Sequence, residues 1–172
     1  MRRCNLVCAF LCSSVVAGFT GVTWAAEAGT PPAPPARPAP VPRASLAEAQ
    51  QMLAASQAAA VRLGVAVSCA VVDVRGDLVA LARMDGANFY TADVARGKAV
   101  ASALLGQPSG ALPPDRLPIF HSLAGIARID LLPVQGALPL IRNGQTLGAI
   151  GCSGASSQQD EDAARAGMQT FR

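Results

Sequence analysis

The chain has 172 residues, 51% of them hydrophobic, with 14 Lys and Arg against 11 Asp and Glu and a formal net charge of +3. That length holds one domain with a packed core. No Lys/Arg run is present to follow a phosphate backbone, so nucleic acid is not an expected partner, and no Cys/His cluster of metal-binding spacing occurs in the sequence.

At the start, Arg2 and Arg3 precede an apolar stretch from Leu6 to about Val22, and Thr23-Trp24-Ala25 offers small residues for cleavage before Ala26. Residues 1–25 therefore read as a secretory signal peptide. Ser, Gly and Thr interrupt the apolar run, which argues against a retained membrane span. Cleavage removes Arg2 and Arg3, leaving 12 basic residues (14 minus 2) against 11 acidic ones, and it removes Cys4, Cys8 and Cys12. The mature protein is then nearly neutral, exported to a periplasmic or extracellular location, with Cys69 and Cys152 as its remaining cysteines. In an oxidising compartment those two can bridge neighbouring strands; the favoured alternative is a pair of small buried hydrophobes. Residues 26–44 include GTPPAPPARPAPVPRA (29–44), a Pro/Ala-rich segment without apolar periodicity that reads as an extended linker.

The domain proper spans 45–172. Ser45-x-x-Glu48 is a capping box, and apolar residues from Leu46 to Leu63 recur at helical spacing up to Gly64. VAVSCAVVDV (65–74) is a β-branched apolar run suited to a buried strand; Arg75-Gly76-Asp77 turns it, and LVALAR (78–83) returns. MDGAN (84–88) is a loop, and a helix starting at Thr91 or Asp93 runs to Gly106. Prolines at 108, 113, 114 and 118 mark a long loop with a short helical turn around Phe120. ALPLIR and QTLGAIGCS flank Asn143-Gly144, a type I′ hairpin signal. Ser157-x-x-Asp160 is a second capping box, opening a final helix over 158–171. Hairpin-joined strands with helices against them give an α+β domain on an antiparallel sheet.

The stretch GCSGA (151–155) raises a chemical question. A G-x-S-x-G elbow would make Ser153 a nucleophile, but that architecture needs a parallel sheet and a histidine after the serine. Here a hairpin delivers the strand, and His121 precedes Ser153. A serine hydrolase is set aside. Ser153 and Gly154 instead offer backbone donors to an anion at a helix N-terminus, against the simpler reading that Ser157 and Asp160 only cap the helix.

RMDGA (83–87), Lys98 within GKA, GALPL (136–140), GAIGCSG (148–154) and QDE (159–161), in that order, resemble the GlcG/HbpS-like family. The resemblance covers about residues 45–172; GALPL departs mildly from the usual strand, and residues 112–132 match poorly. It implies a profilin-like sandwich with an antiparallel sheet of about five strands, assembly into homo-oligomers, and binding, sometimes degradation, of haem. By carry-over, Arg83, Asp85, Lys98, Ser153 and Gly154 would contact the cofactor. His121 would be the axial ligand to iron, with Met84 and Tyr90 as alternatives. Two further readings stay open: an enzyme or sensor for a small carboxylate such as glycolate, and an accessory domain without a ligand.

Overall fold

The computed structural model describes residues 43–172; the signal-peptide segment and nearly all of the linker lie outside the described residues. Ser45 caps α1 (Leu46–Arg62) as its sequence predicts, with its hydroxyl accepting from the Glu48 amide and the Glu48 carboxylate accepting from the Ser45 amide. Then follow β1 (Ser68–Asp73), β2 (Leu78–Arg83), α2 (Thr91–Leu105), a 3-10 turn (Pro114–Arg116), α3 (Leu117–Ala127), β3 (Ala137–Arg142), β4 (Gln145–Ser153) and α4 (Ser157–Met168).

The strands form one antiparallel sheet in the order β2-β1-β4-β3. It has four strands among the described residues, not about five. Each hairpin is local, and the sheet is completed where β1 meets β4. Asn143 and Gly144, at φ 52° and 75°, make the predicted tight turn between β3 and β4.

Side chains alternate across the central strands and sort the helices into layers. Cys69, Val71, Ile150 and Cys152 face α1 and α4 and pack with Met52, Ala60, Ala163 and Ala164. Val72 and Ala149 face the other way, onto Ala99, Val100 and Ala103 of α2. A Cβ on Gly151 would stand 2.7 Å from the Ala95 carbonyl oxygen and 2.8 Å from the Ala99 nitrogen, so the missing side chain lets α2 lie directly on β4.

Three expectations need correction. Cys69 and Cys152, directly opposed in the β1/β4 ladder, are buried as predicted but form a disulfide rather than two free thiols. The residues around Phe120 form an eleven-residue helix rather than a single turn. Pro118 lies in its first turn, where a missing N–H costs nothing, and Phe120, Leu123, Ala124 and Ala127 recur at helical spacing behind it. Finally, α4 is capped by Ser156, not Ser157: Ser156 is extended (φ −66°, ψ 152°), and Gln159 completes its reciprocal box.

At the hairpin end of the sheet, Arg142 gathers the chain's end. Its guanidinium donates to Glu48 and to the Arg172 carbonyl, and it stacks 4.2 Å from the centre of the Phe171 ring. The Glu48 carboxyl is held down at about 2, first by the Ser45 amide, then by Arg142 and the Ser45 hydroxyl.

Candidate functional site

The sequence-predicted residues fall into three places. Arg83, Ser68 and Ser153 stand side by side across β2, β1 and β4 at one end of the sheet. Arg83 and Asp85 are exposed there, whereas Ser153 is buried. Ser68 shares a 2.7 Å hydrogen bond with Thr91, which seats the first turn of α2 on this end. Gly154, at φ 143°, passes so close to Ala66 that a Cβ would meet its carbonyl oxygen at 2.5 Å. Met84 packs against the core, and Tyr90 is exposed with its ring edge-on to Phe89.

Lys98 is buried and engaged, beside the backbone that leads into Ser153. Its ammonium makes a 2.8 Å ion pair with Asp160, both side chains less than 5% exposed, and lies 3.4 Å from the Cys152 carbonyl oxygen. The path is open because residue 136 is glycine: a Cβ there would stand 2.7 Å from the Lys98 Nζ. The same Asp160 accepts from the Ala155 amide at 3.0 Å, and Gln159 accepts from the Ser156 amide. Of the GCSGA amides, that of Ala155 is taken by Asp160 and that of Cys152 by the Gly136 carbonyl, and Asp160 places a negative charge at this helix start.

His121 occupies the third place, exposed on α3. The helix lies beside the C-terminal half of α2, and the two enclose an apolar groove of about 150 Å³ lined by Leu104, Leu105, Phe120, Leu123, Ala124 and their neighbours. His121 follows Phe120 by one residue, so it sits about 100° around α3 from that groove-lining side chain and is not itself part of the lining. Thr91 and Leu105 stand at opposite ends of α2, about 20 Å apart at the helical rise. Within one chain the Arg83–Asp85 end and the His121 end do not converge. No group of three or more His, Cys, Asp or Glu side chains poised for a metal occurs among the described residues.

Comparison with known proteins agrees with the architecture. The chain is similar to Klebsiella pneumoniae protein ORFY, 32% identical with TM-score 0.68 over 74% of this chain and 90% of that one. A double mutant of Streptomyces reticuli HbpS is 31% identical with the same TM-score, over 76% and 88%. A Citrobacter freundii protein of 15.0 kDa from the dhaT-dhaS intergenic region is 32% identical over 74% of this chain and 91% of its own length. A complex of PduOC with haem, 24% identical at TM-score 0.67, shares the fold. The sequence model described as "Haem degrading protein HbpS-like" matches residues 45–169, so the chain belongs to the HbpS-like family.

Proposed function

We propose that the protein binds haem outside the cytoplasm, with the macrocycle on the apolar groove between α2 and α3 and His121 placed to reach the iron. One observation carries this reading: the groove and the chain's single histidine share α3. Haem would supply an open iron coordination position and its redox chemistry. The protein's own part is to provide an apolar wall and an imidazole on the same helix.

The groove tests how well those residues fit the group. About 150 Å³ is less than the roughly 300–1,000 Å³ that encloses a drug-sized ligand. One chain therefore offers a single wall, and the other wall is best supplied by a second copy. Ile119, Leu123 and Ile126 of α3 are exposed, Ile126 to 82%, and call for such cover. A homo-oligomer pairing α3 faces meets both needs. The buried Cys69–Cys152 disulfide supports an oxidising location, in keeping with the signal peptide read in residues 1–25.

Haemin titration followed at the Soret band tests the reading. A saturable shift is expected at micromolar haemin, with a changed spectrum in His121→Ala. A folded protein that leaves the haemin spectrum unmoved would sink it.

A further inference from the structure

A second cavity, of about 170 Å³, shares Ile129 of its lining with the apolar groove. Arginines from three separate segments bound it: Arg75 from the β1–β2 turn, Arg96 from α2 and Arg128 from the end of α3. Its volume is several times the roughly 30 Å³ liquid share of one water, room enough for a carboxylate or phosphate group together with water.

The charges around it are not balanced. Asp77 and Asp130 also line the cavity; Asp77 sits 3.6 Å from Arg75 in an exposed pair. Among the described residues, Arg96 and Arg128 form no ion pair. Arg96 lines the cavity, and its Nε is buried without a hydrogen-bond partner. Arg128 adopts φ 54°, a left-handed helix end where glycine is the usual residue.

We propose that this cavity is an oxyanion site, taking a carboxylate or phosphate between Arg96 and Arg128 with Arg75 at its mouth. Planar guanidinium groups match both anions in two-point hydrogen bonding. Two sources share that chemistry: a small free anion, and the carboxylate of an amphipathic molecule whose body lies in the adjoining groove. The second source rests on the haem reading above; the first does not.

The test is a titration with inorganic phosphate at constant ionic strength, followed by amide chemical shifts. Wild type is compared with Arg96→Met, which keeps the stem, and with Arg128→Gly, which suits the left-handed helix end. Saturable shifts at Gly76, Val100 and Ile129 are expected in wild type, with affinity lower by at least about tenfold in each variant. No saturation in wild type, or unchanged affinity in both variants, overturns the proposal. Haemin and its dimethyl ester then identify the source. Weaker binding of the ester by wild type, but not by Arg96→Met, assigns the site to the carboxylate of a groove ligand. Equal binding of both, with phosphate still saturating, assigns it to a free anion. Failure of haemin to bind removes the haem reading and leaves the phosphate result to decide the cavity.

Discussion

Lys98 on α2 reaches past the start of β3 to Asp160 on α4, closing a 2.8 Å ion pair between helices on opposite faces of the sheet. Both charges are buried, so deleting one strands the other. Asp160→Leu and Lys98→Met should each cost ~3–5 kcal/mol, and combining the two should recover part of it, short of the share Asp160 contributes by accepting from the Ala155 amide. Urea denaturation of the three variants checks the cycle. Additive losses would show that the two residues do not act as a pair.

The disulfide between the two central strands closes a long stretch of chain, from residue 69 to residue 152. Replacing both cysteines with alanine should destabilise the domain by ~2–5 kcal/mol. Alkylation under denaturing conditions, with and without reductant, of a chain begun at residue 43, whose cysteines are Cys69 and Cys152, reads the bond directly: mass should be gained only after reduction.

Acid should weaken the α1 cap in a defined window. The Glu48 carboxyl titrates at about 2 rather than 4.5. A depressed acid stabilises the fold above its unfolded value, so this contribution is complete above pH 4.5 and disappears as pH falls toward 2. With the side chain 31% exposed, the loss is closer to the ~1 kcal/mol of a capping interaction than to the full shift. Glu48→Gln should thus be less stable than wild type at pH 7 and equal to it near pH 2. A constant difference across that range would contradict the assignment.

Close backbone approach predicts a sharp response at Gly151. A methyl there meets main-chain atoms of α2 rather than a movable side chain. Gly151→Ala should cost ~1–3 kcal/mol by overpacking, whereas Gly144→Ala, with nothing within 4 Å, should show only the smaller strain of its left-handed turn. Melting temperatures of the two variants make the comparison.

Elements with a local cause were legible in the sequence. The α1 capping box, the span of β2 and the Asn143-Gly144 turn each depend on residues within a few positions. Helix α3 was obscured because its prolines, which break a helix interior, stand at or before its first turn. The cap of α4 slipped by one residue because two adjacent serines both face an acceptable third partner. The candidate site was the least legible part, for a physical reason. Lys98 and Asp160 are 62 positions apart and meet only because Gly136 clears the way. Likewise Arg75, Arg96 and Arg128 lie in three segments that only the packed fold brings to one cavity. The order of family motifs pointed to Lys98 as a ligand contact; within the chain its partners are Asp160 and a backbone carbonyl.

The sheet's strand order also bears on how the chain reaches this state. Each hairpin can zip from its own turn, but the seam between β1 and β4 joins segments some eighty residues apart. Loop-closure entropy must be met before that seam is rewarded. Assembly is therefore expected to run from two independent hairpins to one sheet, with the middle of the molecule forming last and the cysteines brought opposite each other only then.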